Sequence, residues 1–231
     1  MQGSEPNGEL RSFGRRRGRA LSQRQARLWH ELLPRFAITA AAAELAPLER
    51  LFSASVHAVW LEIGFGGGEH LLWQAEHHPQ TGIIGCEPFQ AGIIKVLSAL
   101  QERDAGNLRL YADDARPLLR RLPDACLSRV FVLFPDPWPK RRHWKRRLLS
   151  EGTLRELARV MRPGAELRVA TDIAAYAEWI LLAVRQQGGF RWTAASAADW
   201  RERGTDWPST RYEQKAIGAG RRCCYLRLLR T

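Results

Sequence analysis

Gly64-Phe65-Gly66-Gly67-Gly68 is a stretch where a ligand can approach the backbone closely, and acids surround it: Glu62 precedes it, Glu69 follows it and Glu87 lies farther on. Between a strand and a helix, a glycine-rich turn of this kind suits a nucleotide-like ligand, because no Cβ intervenes. The acids decide which ligand. A dinucleotide site of the G-x-G-x-x-G type needs Gly or Ala at position 69, and a carboxylate there repels a pyrophosphate from the helix N-terminus. NAD-dependent oxidoreduction is thereby disfavoured. A ligand with positive centres and no phosphate is favoured, and S-adenosylmethionine, with its ammonium and sulfonium, is such a ligand.

Two further acids fit the same chemistry. Glu87 can accept from ribose hydroxyls at both carboxylate oxygens, and Asp114, in Tyr111-Ala112-Asp113-Asp114-Ala115, can accept from an adenine amino group. Taken singly, each is equally a solvated loop carboxylate or a helix cap. A second chemical segment is Phe134-Pro135-Asp136-Pro137-Trp138-Pro139-Lys140. Its three prolines fix φ and stop helix and strand alike, which gives the stiffness that in-line group transfer requires. Asp136 can contact an acceptor base or the cofactor, Trp138 can stack, and Lys140 can meet a phosphate. The alternative is a Pro-rich structural turn with Asp136 as a local cap.

The elements that must hold these residues alternate between β-type and helical patterns, the signature of a parallel sheet wrapped by helices. Strands are expected over 58–63, 82–86, 108–111, 130–134 and 166–170, with two more near Phe190 and over 223–229. Helices are expected over 69–77, 90–103, 148–160 and 174–187. Met161-Arg162-Pro163-Gly164 reads as a stop signal between the third of these helices and strand five. The acids at 87 and 114 then sit at C-terminal strand ends, where such sheets bind ligands.

Lys and Arg number 36 against 24 Asp and Glu, a net charge of +12 that points to a polyanionic partner. Basic residues concentrate from Lys140 to Arg147 and from Arg11 to Arg24, although such runs are more often solvated faces. Residues 1–25 read as a flexible basic arm and 26–231 as one folded domain. An Arg-rich, Ser-containing start is also compatible with a transit peptide, which Glu5 and Glu9 oppose. No apolar run approaches the roughly 18 residues of a membrane span, so a soluble, cytoplasmic protein is expected. Cys86, Cys126, Cys223 and Cys224 have no metal spacing and read as buried thiols; His70, His77, His78 and His143 show no metal pattern either, the first three lying on an exposed or partly packed helix face. No metal is expected. Among the tryptophans, Trp60, Trp73 and Trp179 read as core, while Trp138, Trp144 and Trp207 are candidates for RNA contact.

Glu62-Ile63-Gly64-Phe65-Gly66, the 134–140 loop with Arg141, His143, Lys145, Arg146 and Arg147, then Ala170-Thr171-Asp172 and Thr210-Arg211-Tyr212-Glu213, resemble in order the motif series of the bacterial tRNA (guanine-N7)-methyltransferases. Arg11-Ser12-Phe13 and the Arg15 to Arg19 cluster resemble that family's N-terminal extension. The resemblance implies an α/β, Rossmann-like class I methyltransferase, with a mostly parallel seven-stranded sheet and helices on both faces. It also implies S-adenosylmethionine as cofactor and tRNA as partner, with methylation of guanine 46 in the variable loop. Glu62, Glu87, Asp114 and Asp136 then match cofactor-site acids, beside Gly64 and Gly66, with Asp136 also near the reaction centre. Lys140, Asp172, Thr210 and Glu213 match residues that hold the guanosine. Arg211-Tyr212 varies a Lys-Phe pair, and Pro139 stands where a polar residue is frequent.

The chemistry is self-consistent. Guanine N7 presents a lone pair and no proton, so its attack on a methyl needs no general base, and positioning with electrostatics can carry catalysis. Asp172 or Glu213 can accept from guanine N1–H and N2–H, although Asp172 also fits a helix N-cap. A methyltransferase acting on another RNA or a protein, or a noncatalytic RNA-binding module, remain the alternatives. Both monomer and homodimer are open.

Overall fold

The computed structural model describes residues 16, 18–43, 47–103 and 105–231, so most of the expected basic arm, 1–15 and 17, lies outside the described residues. Ser22 closes a capping box with Gln25 at the start of α1 (Gln23–Arg27), which passes through a π turn over Leu28–Leu32 into α2 (Leu33–Phe36). A short α3 (Ala40–Ala43) follows.

The expected alternation is then realised. It runs β1 (Ala58–Ile63), α4 (Glu69–His77), β2 (Thr81–Cys86), α5 (Gln90–Leu100), β3 (Leu108–Tyr111), α6 (Ala115–Arg121) and β4 (Leu127–Leu133). After it come α7 (Glu151–Val160), β5 (Met161–Thr171), α8 (Ala174–Gln187), β6 (Phe190–Trp192), α9 (Ala198–Arg201), α10 (Arg211–Gly218) and β7 (Cys224–Arg230). The seven strands form one sheet in the order β3-β2-β1-β4-β5-β7-β6. Neighbours from β3 through β5 pair in parallel, and β7 pairs antiparallel with both β5 and β6.

Each central strand feeds two cores. Val59, Leu61 and Ile63 of β1 pack with Leu118 of α6, Leu157 of α7 and Ile180 of α8. Trp60 packs in the other core with Leu71 of α4, Ile93 of α5 and Ala216 of α10. Alternate side chains point to opposite faces of a strand, so helices cover both sides and the strand is buried throughout.

Several boundaries differ from expectation. Met161-Arg162-Pro163-Gly164 does end α7, but it begins β5 rather than preceding it: Met161 pairs with Leu127, the register slips, and Glu166 pairs with Arg129. Gly164, at φ 79°, absorbs the slip. The short α6, α9 and α10 were not expected from periodicity, and α6 and α10 are announced instead by their caps, Asp114 and Thr210.

Candidate active site

The strand order reverses direction between β1 and β4, and at that point the C-terminal strand ends leave a cavity of about 430 Å³. That is the switch point at which open parallel sheets hold ligands, and the size suits a small molecule. Gly64 (φ +76°) and Gly66 (φ +56°) form one wall in backbone conformations that glycine adopts without strain. A Cβ on Gly66 would stand 3.1 Å from Cε2 of Tyr212, so the tyrosine ring that closes over the turn would have to shift to admit one.

Glu87, 7% exposed, ties the cavity floor together. Its carboxylate accepts from Gly66 N–H and from Phe89 N–H, each at 2.8 Å. Burial pushes its pKa above the ordinary 4.5; the two amides pull the other way, and the charges of Asp136 and Glu62 add to the rise. Asp114 caps α6 by accepting from Arg116 N–H and is gripped by the Arg116 guanidinium, Nη2 to Oδ2 at 2.7 Å. Its side chain therefore serves as a cap as well as facing the cavity.

The loop after β4 forms the opposite wall. Phe134 (φ 52°) and Trp138 (φ 41°) both adopt the left-handed region that non-glycine residues avoid, with Asp136 between them. Asp136 is exposed at the cavity rim and has no hydrogen-bond partner among the described residues. Arg146 stacks over Trp138 with its guanidinium carbon 5.0 Å from the ring centre.

The residues matched to the guanosine do not all meet here. Tyr212 lines the cavity; Lys140, Asp172, Thr210, Arg211 and Glu213 do not. Thr210 and Glu213 form a capping box at the start of α10. Glu213 is 3% exposed, and its carboxylate accepts from Tyr225 Oη–H at 2.5 Å, Arg203 Nε–H at 3.0 Å and Thr210 N–H at 3.2 Å. Burial and this neighbour push the Tyr225 phenol up. Asp172 does not cap α8, whose N-cap is Ile173; it accepts from Arg221 Nε–H at 2.6 Å. Lys140 is exposed at the head of a 3-10 helix over Arg141–Arg146.

Glu62 also lies outside the cavity lining. It is 3% exposed and meets His70 Nδ1 at 2.8 Å, while His70 Nε2 faces Gln74 Nε2 at 3.0 Å. His70, 1% exposed, is thus a core residue rather than part of an exposed or partly packed helix face, and Trp207, 5% exposed, packs on it instead of facing solvent. Trp73 is only partly buried and stacks on His77. Missed by sequence reasoning were Arg116, whose place two residues after a capping Asp is a usable signal, and Phe89, which carries none. Among the described residues no group of His, Cys, Asp and Glu is placed to hold a metal, and no helix is long and apolar enough to cross a membrane.

Solved structures share this fold. The 16S rRNA methyltransferase KamB matches with a TM-score of 0.54 at 19% identity over 81% of this chain and 94% of that one. The antibiotic-resistance methyltransferase Kmr matches with a TM-score of 0.52 at 19% identity over 84% and 93%. The fold is that of a Rossmann-like class I methyltransferase. Residues 56–226 match the model of a protein family described as "Putative methyltransferase". Proteins named tRNA (guanine-N(7)-)-methyltransferase are similar over nearly the whole chain: that of Rhodospirillum rubrum is 48% identical over 96% of this chain and 88% of its own length, and that of Rhizobium johnstonii 50% identical over 93% and 92%. The chain belongs to the tRNA (guanine-N7)-methyltransferase family.

Proposed function

We propose that this protein transfers the methyl group of S-adenosylmethionine to N7 of guanine 46 in the variable loop of tRNA, in the cytoplasm. The observation that carries the mechanism is Asp136: of the cavity carboxylates it alone has no protein hydrogen-bond partner among the described residues, and it sits on a strained loop at the rim. Strain of this kind persists where the surroundings over-determine it, and it gathers at working sites.

The cavity fits the cofactor. Gly64 and Gly66 let a nucleoside approach the backbone, and Glu87 retains lone pairs for ribose hydroxyls beyond the two amides it accepts. Carboxylates around the wall suit a cation. A cocrystal of a 16S rRNA (adenine-N(1))-methyltransferase with S-adenosylmethionine has the same fold, at a TM-score of 0.50. When bound, the cofactor supplies an electrophilic methyl on a sulfonium.

The chain's own residues then have positioning to do. Asp136 stands where it stabilises the positive charge that develops on the methylated base. Trp138 offers a stacking face, and Asp172 can accept from the guanine N1–H or N2–H edge. Thr210, Arg211 and Glu213 build the α10 terminus that sets Tyr212 against Gly66. Lys140 and the neighbouring Arg141, Arg142 and Lys145 are exposed for the phosphates, and the N-terminal 1–25 arm would add to them.

The test is to incubate the protein with unmodified tRNA and methyl-labelled S-adenosylmethionine, digest the RNA and identify the labelled nucleoside. Label in 7-methylguanosine, lost when guanine 46 is replaced, is expected. Label in another nucleoside overturns the acceptor, and absence of label with cofactor binding intact overturns RNA methylation altogether.

A further inference from the structure

Three prolines leave the Asp136 loop with few N–H donors, so the loop must be held largely through its carbonyls. One residue takes two of them. Arg147 donates from Nε to the Pro137 carbonyl at 2.9 Å and from Nη2 to the Trp138 carbonyl at 3.5 Å. It is 6% exposed although it closes the most basic stretch of the chain. Its guanidinium carbon lies 4.7 Å from the Trp179 ring centre, 4.9 Å from that of Trp144 and 5.0 Å from that of Tyr176. An aromatic cage of this kind replaces the water that a buried cation has lost.

We propose that Arg147 is a positioning residue for methyl transfer, a strut that holds Asp136 in its working place by anchoring the carbonyls of Pro137 and Trp138. Its side chain is absent from the cavity lining, so it acts through the loop. The two left-handed residues, Phe134 and Trp138, bracket the part of the loop that the strut secures. A lysine cannot substitute: an ammonium is a compact, strongly hydrated charge without a planar fork, and it cannot bridge two carbonyls while stacking between rings. Arg147 is also the residue at which the Arg141–Arg146 3-10 helix ends, its N–H bonded to the Trp144 carbonyl at 3.0 Å. The phosphate-facing segment and the Asp136 loop therefore share one anchor.

This inference rests on Asp136 being the acting carboxylate, and the experiment separates the two ideas. Arg147→Lys, Arg147→Met, Asp136→Asn and the double variant Arg147→Lys with Asp136→Asn are compared for kcat, KM for tRNA, cofactor affinity by calorimetry and thermal midpoint. Both Arg147 variants are expected to lose on the order of 100-fold in kcat, the usual cost of a small misplacement, with KM and cofactor affinity within about threefold. The double variant should be no slower than Asp136→Asn alone, as expected of residues acting as one unit. Multiplicative losses in the double variant, or a folded Arg147→Lys enzyme with near-normal kcat, overturn the strut; near-normal turnover of Asp136→Asn instead sinks the role of Asp136. Should the Arg147 variants not fold, Trp179→Phe thins the cage while keeping the arginine. A fall in its kcat without a rise in KM supports the proposal, and an unchanged kcat overturns it.

Discussion

The Glu62 carboxylate and the His70 imidazole meet 2.8 Å apart in the core, so the end of β1 is tied to the first turn of α4 across the whole glycine-rich loop. Glu62 then braces the glycine-rich cavity wall from behind instead of lining the cavity. Replacing His70 with Leu leaves the buried Glu62 carboxyl group without this hydrogen-bond partner, which costs about 1–3 kcal/mol. Urea unfolding should show that loss together with weakened cofactor binding. A change within the scatter of about 0.5 kcal/mol that silent surface substitutions give would contradict the tie.

Glu87 should make the proposed cofactor affinity sensitive to pH. Burial raises its pKa from the ordinary 4.5, so in the free protein it takes up a proton at higher pH than a solvated glutamate does. A cationic ligand favours the ionised carboxylate. Affinity should thus be full near neutrality and fall on acidification through that raised pKa, with Glu87→Gln binding weakly and without this dependence. Calorimetry across pH decides it; identical pH profiles for the two proteins would count against Glu87 as the responsible group.

Glu213 and Asp172 should separate cleanly. With three protein donors on its carboxylate, Glu213 is expected to act on stability: Glu213→Gln should cost about 1–3 kcal/mol in chemical denaturation, the usual penalty for unsatisfied buried groups. Asp172→Asn should leave the denaturation midpoint alone and raise KM for tRNA. The reverse pattern would reassign the guanine edge to Glu213.

Removing residues 1–15 should weaken tRNA binding and flatten its dependence on salt. Every phosphate that the arm no longer neutralises makes the slope of log K against log salt shallower by about 0.9 for duplex nucleic acid. Filter binding at several salt concentrations measures it, and parallel lines for the two proteins would exclude the arm from the interface.

The strands, the four longer helices between them and the glycine-rich turn were legible because their signals are local: apolar runs, glycines and prolines within a few residues. What the sequence hid was pairing at a distance. Nothing around Arg147 announces that this one cation of a basic run turns inward to rings on α8, and Trp207, read from Pro208 beside it, gives no sign that His70 lies against it. The bulged start of β5 was hidden for the same reason, since Pro163 and Gly164 look like a loop until Met161 finds Leu127 on the neighbouring strand.

The alternation of β1 between two cores also limits how this family can vary over time. Deleting or inserting one residue in β1 would rotate everything beyond it by half a period, sending Glu62 into the apolar layer beneath α6 to α8 and Ile63 toward His70. Point changes that preserve volume can drift through β1, whereas changes of length there are closed to natural selection and to the engineer alike.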